Sequence, residues 1–235
     1  LTLGVALLAA GSAESVMAAA WSNAAGAAPS GHFTWDSGAD VNGLFGSPIV
    51  TATDRFVFNT GAGFGVNDTP GDAFTTTQGD TVSWNLHLAP GFQLTGVEVR
   101  VRGVYAVAGQ DSYVDLVGTL TVTEFAAQNP EPLPRTETGL VVGTPNTFPI
   151  VPGSGSLSGP YSAITTADVS WYSPAFDNDL HISFENLLTA FAGIGGNASL
   201  DQTFQSFEIE IALIPEPATL AMLGFAGLAL LRRRR

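Results

Sequence analysis

Apolar and polar residues alternate at every second position through much of the middle of the chain. From Thr81 to Leu88, Val82, Trp84, Leu86 and Leu88 fall on one side, and Ser83, Asn85 and His87 on the other. From Gly96 to Arg102, Val97, Val99 and Val101 oppose Glu98, Arg100 and Arg102. From Phe207 to Leu213, Phe207, Ile209, Ile211 and Leu213 oppose Glu208 and Glu210. Successive side chains of a strand point to opposite faces, so this period predicts strands with one buried and one wet face. Shorter runs predict strands at 55–59, 104–107, 116–125, 169–172 and 180–184, and a brief helical turn over 187–192. Turn chemistry separates them at Asn67-Asp68-Thr69-Pro70-Gly71-Asp72, Ala89-Pro90-Gly91 and Asp177-Asn178-Asp179. Many half-buried strands need a second layer to cover them. The expected fold class is therefore all-β, a jelly-roll-like antiparallel β-sandwich over residues 21–214. A parallel solenoid would require a fixed repeat period, which the sequence lacks. Residues 129–160 hold 7 of the 14 Pro. They read as one long Pro/Gly-rich connection with a short hairpin at 139–143, a linker between two lobes being the other reading.

Both ends depart from this period. Leu1 to Ala10 is almost wholly apolar, Ser12 to Ser15 is polar, and Met17-Ala18-Ala19-Ala20 follows. A short apolar run and then small residues three and one before a cut is the layout of a secretory signal peptide, because signal peptidase excludes larger side chains there. The reading assigns residues 1–20 to that signal, with Ala18 and Ala20 as the small residues and cleavage after Ala20. At the other end, Pro215-Glu216-Pro217 precedes fourteen uncharged residues, Ala218 to Leu231, and then Arg232, Arg233, Arg234 and Arg235. As a helix the uncharged run would span about 21 Å, short of a hydrocarbon core of roughly 30 Å. Arg side chains can snorkel, however, and a terminal basic block marks the cytoplasmic side. The expectation is a short transmembrane helix with its Arg tail inside and the domain outside.

Pro215, Glu216 and Pro217, the apolar run and the Arg cluster together resemble the PEP-CTERM sorting signal of Gram-negative bacteria that make exopolysaccharide. The resemblance covers residues 215–235 and leaves the middle unassigned. It implies recognition by an exosortase, a membrane cysteine transpeptidase-like enzyme that is thought to cut near the motif. It also implies delivery to the cell envelope or extracellular matrix. The same segment resembles what is named an ice-binding protein C-terminal domain, a label for the tail that implies nothing about ice for the remainder. The two Pro residues fix φ and interrupt a helix, which would present an extended recognition segment at the membrane face.

Charge narrows the partners. The chain has no Cys and no Lys, and setting the two end segments aside leaves 4 Arg against 19 acidic residues, a formal net charge of about −15. Phosphate backbones are bound by Lys and Arg, so nucleic acid is excluded as a partner. Apolar residues at 45% and charged residues at 12% describe a folded core rather than a disordered acidic chain.

Candidate chemistry in the middle is sparse. No Cys nucleophile or Gly-x-Ser-x-Gly elbow is present, the three His lie far apart, and none falls in a metalloprotease motif. His87 and His181 read as solvated residues on wet strand faces. Glu208 and Glu210 share one face, where a cross-strand ion-pair ladder with Arg100 or Arg102 would relieve their repulsion. Asp68 with Asp72, and Asp177 with Asp179, put hard oxygen donors in short loops. They are the candidate ligands for Ca2+, set against ordinary Asx turns. Thr119, Thr121 and Thr123 form a single row, too narrow for an ice-binding array. Trp35, Trp84, Trp171 and Tyr172 are candidates for sugar stacking, with Trp84 expected in the core. No catalytic residue and no obligatory cofactor is expected. The functional expectation is an exported, non-enzymatic envelope or matrix protein, with an exopolysaccharide-binding module as the alternative and a secreted hydrolase behind it.

Overall fold

The computed structural model describes residues 19–60, 64–69, 75–124, 135–139, 148–169 and 179–215. In chain order the strands are β1 (Ala19–Ala20), β2 (Gly26–Ala27), β3 (Phe33–Asp40), β4 (Pro48–Val50), β5 (Arg55–Phe58), β6 (Gly65–Asp68) and β7 (Thr76–Leu88). They continue with β8 (Phe92–Ala108), β9 (Tyr113–Glu124), β10 (Arg135–Gly139), β11 (Ser156–Asp168), β12 (Asp179–Phe191) and β13 (Asn197–Pro215). Every pairing is antiparallel. A first sheet runs β1-β3-β7-β12-β9-β10 with β2 on β3. A second runs β11-β8-β13-β5-β4 with β6 on β13. The long strands alternate between the sheets along the chain, so the turn at 89–91 carries β7 of one sheet into β8 of the other.

The period-two expectation holds where it is sharpest. Val82, Trp84 and Leu86 are fully buried, as are Val99, Phe207 and Ile209. The facing sides of the sheets meet through rings: Phe33 stacks on Phe56 at 5.7 Å, Phe56 meets Trp84 at 5.0 Å, and Phe184 stacks on Phe207 at 5.2 Å. Each pair joins one sheet to the other, so this aromatic seam is the chief apolar contact of the sandwich.

Two expectations are corrected. The helical turn over 187–192 is strand up to Phe191. Leu187 to Ala190 pair with β7 on one side and Leu187 to Phe191 with β9 on the other, Leu188 and Ala190 pointing inward and Leu187 outward. A central strand satisfies its N–H and C=O groups on both edges, and that overrides the weak local helical pattern. The expected turn at 67–72 begins later, since Asn67 and Asp68 belong to β6 and pair with β13. Of the expected strand at 169–172, Val169 lies outside β11 and the rest falls outside the described residues. The Pro/Gly-rich stretch contributes β10 and the start of β11, and so links the two sheets.

Two buried carboxylates fix the loop between β3 and β4. Asp80 accepts the backbone N–H of Asn42 and Leu44, each at 2.8 Å, and that of its neighbour Thr81. Asp40 accepts those of Gly43 and Gly46. The loop thereby drives Phe45, 0% exposed, between Phe64 at 4.9 Å and Phe207 at 4.4 Å.

Candidate functional site

The outer face of the first sheet is polar, and register lines up its residues. Asp36 of β3 lies opposite Asn85 of β7, Asn85 opposite His181 of β12, and His181 opposite Thr123 of β9. The next row carries Ser83, Ser183, Thr121 and, on β10, Thr136. The row after it carries Thr81, Glu185, Thr119 and Thr138. The Thr119, Thr121 and Thr123 row is thus one column of a wider hydroxyl-rich surface.

A bulge at Ser37–Gly38 shapes the β3 edge of this face. The β3–β7 register shifts between Asp36 and Ala39, and Ser37 takes a φ of 55°. Gly38 is required there, because a Cβ would collide with the ring of Trp21, which packs on Phe58 and Trp84. Asp36 accepts Asn85 Nδ2 at 2.7 Å and lies 2.9 Å from His87 Nε2, while His181 Nδ1 lies 3.0 Å from Asn85 Oδ1. Hydrogen bonds from Ser37, His87 and Asn85 hold the Asp36 carboxyl below its ordinary range. Burial holds His181 below its ordinary value, which favours the neutral ring at pH 7. The expectation of freely solvated His87 and His181 is therefore right about the face and wrong about the setting. Sequence spacing cannot reveal a network whose members are 49 and 96 positions apart.

The second sheet's outer face carries the ion-pair ladder. Arg102 lies 3.5 Å from Glu208, as expected, but Glu210 takes Arg55 at 2.8 Å and Arg100 turns to Glu98 on its own strand. Glu98 and Glu210 stand directly opposite in a shallow depression of about 290 Å³ with Thr95, Thr166 and Ala212. Each carboxylate is taken up by a guanidinium.

Asp54, at a φ of 59° between β4 and β5, holds Ser30 Oγ at 2.5 Å and His32 Nδ1 at 2.7 Å. These are the residue types of a nucleophilic triad, but the hydroxyl donates to the carboxylate rather than to the imidazole, so no base contacts it. Of the candidate calcium ligands, Asp68 is buried and accepts the Ala192 N–H at 2.7 Å. Asp179 opens β12 opposite His87. Asp72 and Asp177 lie outside the described residues, among which no group of three or more His, Asp or Glu could hold a metal. Trp35 is buried and donates to the Asn23 carbonyl, while Trp171 and Tyr172 lie outside the described residues.

The last strand leads to the sorting motif without a spacer. Leu213, Ile214 and Pro215 pair with Leu94, Gln93 and Phe92 of β8. Glu216 to Arg235, including the predicted membrane helix, lie outside the described residues, as do Leu1 to Ala18. Among the described residues no helix is long and apolar enough to cross a membrane.

The β-sandwich and a sorting signal at the end of its longest strand define an exported protein sorted through an exosortase to the cell envelope. The model of the PEP-CTERM protein-sorting motif matches residues 213–235, and the chain is a PEP-CTERM sorting domain-containing protein. No curated protein matches the chain. Among solved structures, the enzymatically active domain of bacteriophage CBA120 tailspike protein 4 is similar at 8% identity and a TM-score of 0.18. That likeness covers 83% of this chain and 21% of the tailspike chain. The infectious bursal disease virus Gx strain structure is similar at 10% identity and a TM-score of 0.16, over 77% of this chain and 52% of that one. Likenesses this low carry no statement about activity.

Proposed function

We propose that the chain is a non-enzymatic envelope or matrix protein, exported with an N-terminal signal and tethered briefly in the inner membrane, its Arg tail cytoplasmic. An exosortase then processes it. The sorting motif at 213–235, leaving the sandwich directly from β13, carries the reading. The scaffold is jelly-roll-like in that its long strands alternate between two facing sheets. A non-enzymatic role is supported by Glu98 and Glu210, the facing carboxylates, both being engaged by Arg, whereas glycosidase chemistry needs one of such a pair free to carry a proton. Deleting 215–235 in the native host is expected to abolish processing and move the protein. Unchanged retention would refute the reading.

A second reading, exopolysaccharide binding, is favoured by the polar face of the first sheet. Hydroxyl, amide, imidazole and carboxylate groups in register match the hydroxyl pattern of a sugar chain. On this face Asp36 and Glu185 bring negative charge, which favours an uncharged polysaccharide over an anionic one. Glycan-array binding with calcium and with chelator, compared with Asn85→Ala, tests it. Absence of binding in both conditions removes it, and equal binding by the variant moves it to another surface.

A further inference from the structure

We infer that the fold limits where the sorting signal can be cut: the scissile bond is Pro215–Glu216 or one beyond it, and the enzyme must seat against the rim from which β13 emerges. The inference rests on the sorting reading and adds a position and a contact surface to it.

Peptidases bind substrates as extended, unpaired segments, so a strand already hydrogen-bonded in a sheet must be peeled away before it can be cleaved. β13 lies inside the second sheet. Phe207 to Glu210 pair with β5 on one side and β8 on the other, and the Ile211 N–H is held by the Asp54 carbonyl at 2.9 Å. Phe207, Ile209 and Ile211 are all buried in the core, so withdrawing them would open the domain. Past Ile211 the grip weakens by steps. Leu213 is partly buried and packs on the core, and Ile214 is 45% exposed. Pro215 pairs with Phe92 at the very start of β8. The first bond beyond the described pairing is therefore Pro215–Glu216. Its hydrolysis breaks the C–N bond, adds the oxygen of water to the Pro215 carbonyl carbon as a carboxylate, and leaves the released segment with a free amine.

With no spacer, an enzyme reaching that bond meets the residues around it. Phe92 carries the ring of His32 at 4.3 Å, His32 is held by Asp54, and the exposed Ile214 side chain completes the rim. This rim is small, half apolar and placed where the chain leaves the sheet.

Intact-mass and C-terminal peptide analysis of the mature protein from its own host tests the limit. The expected C-terminal residue is Pro215 or a later one. A mature form ending at Ile214 or earlier overturns the inference while leaving the sorting reading intact. A protein that keeps its tail to Arg235 overturns the sorting reading and this inference with it. The rim is tested by Ile214→Glu, at a site too exposed to upset the core: pulse-chase is expected to show tail removal slowed several-fold. An unchanged rate with an unchanged cut site overturns the rim contact.

Discussion

Phe207 joins the two sheets, and its removal gives the sharpest test of the architecture. The ring is 0% exposed and belongs to β13 in the second sheet. It meets Phe184 of the first sheet at 5.2 Å, Phe58 of its own sheet at 4.7 Å and the loop residue Phe45 at 4.4 Å. Phe207→Ala removes a fully buried ring from a site whose walls are held by strands on both sides, so the cavity cannot close. Substitutions of this kind cost about 3–5 kcal/mol. The three ring contacts place this one near the upper part of that range, at about 4 kcal/mol. For a domain of this size that corresponds to a fall in Tm of roughly 8–16 °C. Phe207→Leu fills most of the space and should cost about 1–2 kcal/mol. Urea unfolding followed by Trp fluorescence, with far-UV circular dichroism as a second probe, reads both values. A loss below about 1.5 kcal/mol for Phe207→Ala, with the dependence on urea unchanged, would refute the aromatic seam as the fastening between the sheets.

Two further outcomes follow from buried polar groups. Asp80→Ala strips acceptors from the N–H groups of Asn42, Leu44 and Thr81 and should cost about 2–3 kcal/mol. Asp80→Asn should recover part of that, and two variants of equal stability would contradict the role. In the pH profile, burial lowers the folded pKa of His181 below 6.5, so on acidification the unfolded chain takes up its proton first. The stability contributed by the neutral ring is present above pH 6.5 and is lost as pH falls from there through the folded value. Asp36, lowered by its hydrogen bonds, contributes above 3.8 and is lost below. Asp40 and Asp201, raised by burial, act with the opposite sign and regain stability as pH falls through their folded values. Comparing unfolding midpoints at about pH 7.5 and pH 5.5 should show a smaller loss for His181→Gln than for the unaltered chain, and identical losses would refute the assignment.

The tail needed no tertiary structure to be read, because Pro215, Glu216, Pro217 and the Arg cluster form a contiguous address recognised as linear chain. The class of fold was legible for a related reason: the period of two at Thr81–Leu88 and Phe207–Leu213 records which face each strand buries, and burial is local information. The strand at 187–191 was misread because a few apolar positions fit more than one period, and only pairing on both edges decides between them. β11 escaped notice because its Ser, Thr, Gly, Ala and Pro residues leave little hydrophobic contrast, its register on β8 being set by the sheet rather than by its own pattern. The grouping of Asp36, Asn85, His87 and His181, the hold of Asp40 and Asp80 on their loop, and the choice of Arg55 by Glu210 each depend on which strands become neighbours. Local sequence sets the face a side chain takes. The partner it meets is set by strand order, which arises only when distant segments compete to cover one another's apolar surface.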